Sequence, residues 1–367
     1  MNSTWGKNII YSLFGESHGK LIGITIHHLP AGIQLNFEAI QLELDRRRPG
    51  KDAFASLRNE LDQFEIVSGY FDKKTTGAPL TAIIQNTSHR SSDYDKAKAH
   101  MRPSHADYAA YVKYRGNNDY RGGGHFSGRL TAPIVFAGAI AKQLLKKKNI
   151  EINAHIIQIG KIKSKRVHEL NNKVILNFTG QTFPVADSQI KKQMQHEIEM
   201  AKQDHDSIGG AIEVISNNIP AGIGEPFFNS IESTIAHLFY SIPGVKAVSF
   251  GLGIEFANKR GSKVNDELQF INDKVITLSN NNGGITGGIS NGMPITCQLY
   301  FKPTPSIMKS QRTIDIKENK NIVDVTKGRH DPCIVPRALP VAEAMMAIGL
   351  LDMYMDYEWS KRWCDND

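Results

Sequence analysis

Leu21–Gly50 reads LIGITIHHLPAGIQLNFEAIQLELDRRRPG, and its pattern returns far downstream in Gly210–Gly244, GAIEVISNNIPAGIGEPFFNSIESTIAHLFYSIPG. Each copy opens with an apolar strand (Leu21–His27; Gly210–Ser216) and passes through Pro-Ala-Gly-Ile (Pro30–Ile33; Pro220–Ile223). Each then enters a helix and stops at Pro-Gly (Pro49–Gly50; Pro243–Gly244). Asn36 is placed to cap the first helix, and Asn229 with Glu232 has capping-box spacing for the second, expected over Ser230–Ser241. Proline followed by glycine ends a helix because the ring removes a donor and clashes with the preceding turn. Four shared residues are weak as a repeat, but the shared order of elements around them argues for two pseudo-symmetric halves around one core. Strands are further expected at Leu80–Gln85, Ile152–Ile159, Val245–Gly251 and Ile295–Phe301, and helices at Ile134–Leu145, Asp187–Gln203 and Ala338–Tyr357. The stretch 161–187, with Lys161, Lys163, Lys165 and Arg166, reads as an exposed insert whose charges form a solvated face. No low-complexity linker divides the chain.

Between the two copies lies Met101–Pro133, MRPSHADYAAYVKYRGNNDYRGGGHFSGRLTAP. Arginines, histidines and three consecutive glycines crowd this segment, which then feeds the apolar helix at Ile134. A glycine-rich cationic loop running into a helix N-terminus suits an anion, because backbone N–H groups can approach the ligand closely. The whole chain, 367 residues with a formal net charge of +7, points the same way, to a phosphorylated or otherwise polyanionic partner. The three cysteines, Cys297, Cys333 and Cys364, have no metal-ligand spacing and read as free thiols in a reducing compartment. No signal-like N-terminus stands out and no apolar run looks long enough for a bilayer, so the expectation is a cytoplasmic protein without membrane partners.

Several chemistries compete for these residues. His18 in GESHG, His105 in RPSHAD and His330 beside Asp331 are suited to proton transfer near neutral pH. No HxH, HExxH or CxxC spacing supports a metal. Ser17, His105 and Asp331 could be assembled into a hydrolase triad, and GxSxG occurs at Gly15–Gly19 and Gly288–Gly292. A nucleophile elbow needs a strand before the serine and a helix after it, whereas both matches are followed by strands. Rossmann and Walker patterns are absent. Tyr108, Tyr111, Tyr114 and Tyr120 among Lys113, Arg115 and Arg121 keep a nucleic-acid-binding module in view.

Seven motifs together are more specific. FGESHG (Phe14–Gly19), DRRRPG (Asp45–Gly50), RPSHADY (Arg102–Tyr108) and DYRGGGHFSGRLTA (Asp119–Ala132) resemble chorismate synthases. So do PAGIGEP (Pro220–Pro226), GGITGGISNG (Gly283–Gly292) and KGRHDPC (Lys327–Cys333). The resemblance runs in the family's order from about residue 5 to 355, and favours this reading over the nucleic-acid one.

The resemblance implies a single α/β (α+β) domain over residues 1–367, with helices layered between antiparallel sheets, assembled as a homotetramer. It implies anti-1,4-elimination of phosphate from 5-enolpyruvylshikimate 3-phosphate, giving chorismate, with reduced FMN required and NADPH a candidate reductant. On the motif positions it places His18 near the departing phosphate, His105 near the pyrimidine end of the flavin, and Asp331 with Ser17 and Ser127 in the relay for the ring proton. Flavin contacts are implied for His125, Phe126, Ser127, Pro243, Gly244, Gly287, Lys302, Pro303, Thr304, Pro305, Ser306 and Arg329. Arg47, Arg48, Arg102, Arg129 and Arg337 are the candidates for substrate or NADP phosphate. The chain departs from the family's common residues at Ser104 (commonly Gly), His125 (often Arg), Leu130 (Glu), Pro305 (Ser) and Ala53 (Arg).

Overall fold

A computed structural model of the chain describes residues 3–48, 61–87, 98–170, 178, 181–326 and 330–364. Pro49, Gly50, Ala53 and Arg329 lie outside the described residues. Among the described residues, two five-stranded sheets, antiparallel throughout, flank a layer of helices. The first has the order Thr4–Trp5, Ile10–Gly15, Leu21–His27, Leu80–Gln85, Phe64–Ser68. The second has the order Val245–Phe250, Ile295–Phe301, Gly210–Asn217, Glu151–Ile159, Ile162–Lys163. The two strands that precede Pro-Ala-Gly-Ile, Leu21–His27 and Gly210–Asn217, each sit third in their sheet.

The helices are α1 (Phe37–Arg47), α2 (Asp107–Tyr114), α3 (Thr131–Lys146), α4 (Ser188–Gln203), α5 (Ile231–Tyr240) and α6 (Val335–Cys364). Asn36 caps α1 by accepting the Ala39 N–H at 2.9 Å. For α5 the cap is Ser230, which accepts the Ser233 N–H at 3.0 Å, while Asn229 instead donates to Glu225. The serine wins because its hydroxyl sits one residue closer to the first helical turn. α3 packs on the first sheet, α6 packs on the second, and α1 packs on both helices, with Ala344 of α6 laid directly on Gly138 of α3.

α6 is longer at both ends than its sequence pattern suggested. Pro336 lies in its first turn, where the missing N–H costs no hydrogen bond. Contrary to the sequence expectation, this helix is long and apolar enough to cross a bilayer by length and composition; 94% of its apolar window is buried inside the protein, where it is the spine of the core.

A polar cluster sits inside the helical layer. The Glu343 carboxylate binds Arg46 at 2.7 and 2.9 Å, Lys142, and the Ala154 N–H at 3.0 Å. Burial alone would raise this carboxyl; Lys142 and Arg46 outweigh it and hold it at about 2. The insert also differs from expectation. Lys161, Lys163 and Lys165 do face solvent, but Val167, Phe178, Phe183 and Val185 are buried. The Val167 N–H donates to buried Glu213 at 2.7 Å, and Phe178 stacks on His155. Apolar residues spaced among the lysines dock this segment on the outer face of the second sheet.

Candidate active site

Between the helical layer and the loops that connect it, a cavity of about 1720 Å³ opens. A single small-ligand site typically measures about 300–1,000 Å³, so this one has room for two ligands side by side. Its wall brings together segments far apart in the chain. His18, Arg102, His105, His125–Arg129, Pro243, Gly244, Lys302–Ser306, Asp331 and Arg337 all contribute. Leu238, Ile242, Val341, Met345 and Ile348 supply an apolar flank.

The three glycines explain themselves here. Gly122 has φ +59, and a Cβ there would overlap the ring of His18; Gly123 has φ +86, and a Cβ would press at 3.2 Å on Cε1 of His105. Two imidazoles therefore reach the cavity only because the loop between them has no side chains. Ser17 is tied back through its N–H to the Gly124 carbonyl at 3.1 Å, and Asn86 holds the same turn by donating to the Glu16 and Gly19 carbonyls. The Ser127 hydroxyl accepts the Arg129 N–H at 3.3 Å, starting the short 3₁₀ turn that leads into α3.

Electrostatically the wall is cationic. Arg47, Arg102, Arg129, Lys246, Lys302 and Arg337 line it, against the carboxylates of Asp324 and Asp331. Behind the wall, buried Asp62 bridges Arg47 (Nη2–Oδ2 2.5 Å) and Arg129. Burial would raise the Asp62 carboxyl, but the two guanidiniums hold it below the ordinary range. One carboxylate between two arginines leaves a net positive charge facing the cavity. Arg337 donates to the Arg47 carbonyl at 3.0 Å and to Asp331. Burial lowers Arg337 from its usual value, and Asp331 offsets part of that.

Lys302 donates to the Ser104 carbonyl at 2.6 Å; burial and nearby Lys246 push its ammonium down. The Lys302 N–H meets the Gly244 carbonyl at 3.0 Å, so the two loops expected to hold one ligand are joined. His125 is held at both nitrogens, Nδ1 to the Gly15 carbonyl at 2.7 Å and Nε2 to the Ser3 hydroxyl at 2.8 Å. A carbonyl only accepts, so Nδ1 carries a proton and donates it to Gly15. Where the family often has an arginine, His125 is a strut joining the glycine loop to the N-terminal segment. Tyr114 packs on Phe126, with ring centroids 6.2 Å apart.

Not every expected residue arrives. Arg48 caps α1 and pairs with Asp45 at 3.6 Å, outside the wall, because three consecutive arginines on a helix end cannot share one face. Gly287 sits at the turn between Ile285–Thr286 and Ile289–Ser290, also outside the wall. Ser17, His105 and Asp331 form no hydrolase triad: His105 binds Asp107 and Asp331 binds Arg337. Sequence reasoning missed Asp62, Asn86 and Asp107. Asp107 could have been found two residues after His105 in the same motif. Asp62 carries no local signal, since its partners lie 15 and 67 residues away.

Taken together, these features define a protein of mixed helix-and-sheet architecture with one large cleft lined by histidines and arginines. Residues 9–355 match the family model described as chorismate synthase. The chain is 46% identical over 347 residues to the chorismate synthase of Pyrococcus abyssi, covering 95% of this chain and 96% of that one. It is 45% identical over 352 residues to the chorismate synthase of Methanococcoides burtonii, covering 95% of each. A solved crystal structure of a chorismate synthase superposes with a TM-score of 0.77 at 28% identity, over 99% of this chain and 98% of that one. The chain belongs to the chorismate synthase family, lyases of aromatic amino acid biosynthesis whose chemistry implies a reduced flavin.

Proposed function

We propose that this chain converts 5-enolpyruvylshikimate 3-phosphate to chorismate by anti-1,4-elimination with reduced FMN bound beside the substrate. The observation that carries the reading is one cavity with room for two ligands and six cationic side chains on its wall. The substrate brings a phosphate and two carboxylates, and FMN brings another phosphate. The cleft fits both: the apolar flank suits a planar ring system, and the cations suit the anionic ends. Reduced FMN, when bound, supplies electron density that eases departure of the phosphate. Residues His125–Ser127, Pro243–Gly244 and Lys302–Ser306 would hold it.

The chain's own groups have distinct tasks in this reading. Arg47, Arg129 and Arg337 bind and orient the anionic substrate, preorganised by Asp62 and Asp331 so that little rearranges on binding. His18, held against Gly122, donates to the departing phosphate oxygen as the carbon–oxygen bond breaks. Asp331, ion-paired with Arg337 at the wall, takes up the ring proton as the new double bond forms. Titration of the protein with oxidised FMN, followed by flavin fluorescence with and without substrate, tests the shared cleft. Flavin affinity is expected to rise with substrate present; equal affinities would refute it.

The same reading makes the protein one domain and a homotetramer. Phe227 and Phe228 are 86% and 92% exposed, and Ile254, Leu268 and Phe270 are 85%, 73% and 78% exposed. Apolar side chains this open support burial against further copies. Sedimentation or light scattering gives the stoichiometry.

A further inference from the structure

We propose that Asp107 is a positioning residue that locks His105 in the Nδ1–H tautomer and turns its Nε2 toward the ligand cleft. This rests on the reading of His105 as a group that meets the bound flavin. The geometry is closed on every side. His105 Nδ1 lies 2.7 Å from Asp107 Oδ1, and the Arg102 Nη2 lies 2.8 Å from the same oxygen. The other oxygen, Oδ2, accepts the Arg102 Nε at 2.7 Å and the Arg102 backbone N–H at 3.1 Å. The Asp107 side chain is only 9% exposed.

A bare imidazole nitrogen and a carboxylate oxygen repel at 2.7 Å unless a proton lies between them. Burial would raise the Asp107 carboxyl, yet its hydrogen bonds to Arg102 and His105 hold it well below the carboxylate range, so that proton belongs to the imidazole. Arg102 Nη2 also lies 3.1 Å from Nδ1 and gives one of its two hydrogens to Oδ1; a bond from the other to Nδ1 would leave that nitrogen bare against Oδ1 at 2.7 Å, so the Nδ1–H form prevails. Nε2 is then the remaining ring nitrogen; His105 lines the cleft, and the Cε1–Nε2 edge of its ring lies over Gly123, where a Cβ would press on Cε1 at 3.2 Å. Arg102, expected from sequence as an anion contact, is committed to Asp107 through three nitrogens; its task is to hold the carboxylate that holds the histidine.

Asp107→Asn distinguishes this from a merely structural carboxylate. Two donors of Arg102 converge on the Oδ2 position and only one on Oδ1, where the other partner, the imidazole, can become an acceptor; the new amide nitrogen therefore takes the Oδ1 place. There it points a donor at His105 Nδ1 and forces the Nε2–H tautomer. The first readout is imidazole ¹⁵N NMR on the ligand-free protein, at alkaline pH where the ring is neutral. Wild type and Asp107→Glu are expected to show the Nδ1–H pattern for His105, and Asp107→Asn the Nε2–H pattern. An unchanged Nδ1–H pattern in Asp107→Asn would overturn the proposal.

The second readout is turnover with reduced FMN. Asp107→Asn is expected to lower kcat by roughly 10²- to 10⁴-fold with KM little changed, and to add nothing further in a His105→Ala background. A loss confined to KM would assign Asp107 to Arg102 and anion binding, and fully additive losses would likewise overturn a role through His105. Full activity of His105→Ala alone would instead refute the role of His105 proposed above, while the tautomer measurement would still decide the role of Asp107.

Discussion

Asp62→Asn separates the two effects of a carboxylate placed between two arginines. The Asp62 side chain has no accessible surface, and the side chains of Arg47 and Arg129 are only 3% and 5% exposed. Asn preserves shape and tolerates the left-handed backbone at this position (φ 45), so the perturbation is the loss of the charge and of one acceptor between the two guanidiniums. Removing one partner from a buried ion pair typically costs about 3–5 kcal/mol, because the remaining charge is left uncompensated. For a chain of 367 residues, unfolding entropy near 2.1 cal/mol/K per residue turns that into a fall in Tm of roughly 4–6 °C.

The cleft should respond in the opposite sense. With Asp62 neutral, the wall gains one net positive charge, so inorganic phosphate should raise the variant's Tm by more than it raises that of wild type. Thermal unfolding with and without phosphate measures both effects on one preparation. An unchanged Tm, or a phosphate response smaller than wild type's, would refute the account of Asp62 as the counter-charge behind the anion site.

Three other outcomes follow from the same structure. His18→Ala should lower turnover by about 10²- to 10⁴-fold with an unchanged circular dichroism spectrum, and a loss below about tenfold would remove it from the catalytic groups. Asp331→Asn should lower turnover severely while flavin affinity and Tm stay near normal, since Asn still accepts from Arg337 but takes no proton near neutral pH; near-normal turnover would leave Asp331 structural. Glu343 is depressed to about 2 in the folded protein, so its contribution to stability is complete above pH 4.5 and is lost as pH falls toward 2; Glu343→Gln should flatten that limb of the acid-unfolding curve measured by fluorescence.

How much of this was legible in the sequence divides by range. Leu21–His27, Leu80–Gln85 and Ile295–Phe301 were readable to the residue, because period-2 or continuous apolar runs bounded by turn residues depend only on neighbours. α2 was not, since Asp107–Tyr114 is mostly exposed and has no apolar stripe to announce it. Of the site, the histidines and the glycines between them lay in motifs, whereas their partners did not. Asp62 meets Arg129 across 67 residues, and Lys302 meets Ser104 across 198, which no local pattern records. Arg48 shows the opposite failure: three adjacent arginines look equivalent in sequence, and helix geometry sends Arg46 to Glu343, Arg47 to Asp62 and Arg48 to Asp45.

The central claim is that one cleft carries out phosphate elimination with a reduced flavin beside the substrate. Its most direct test is anaerobic turnover of 5-enolpyruvylshikimate 3-phosphate with dithionite-reduced FMN, following chorismate by its ultraviolet absorbance and released phosphate in the same sample. The account predicts chorismate and phosphate in equal amounts, with no product when the flavin stays oxidised. Equal turnover without reduced flavin, or no chorismate from a folded protein that binds both ligands, would contradict it.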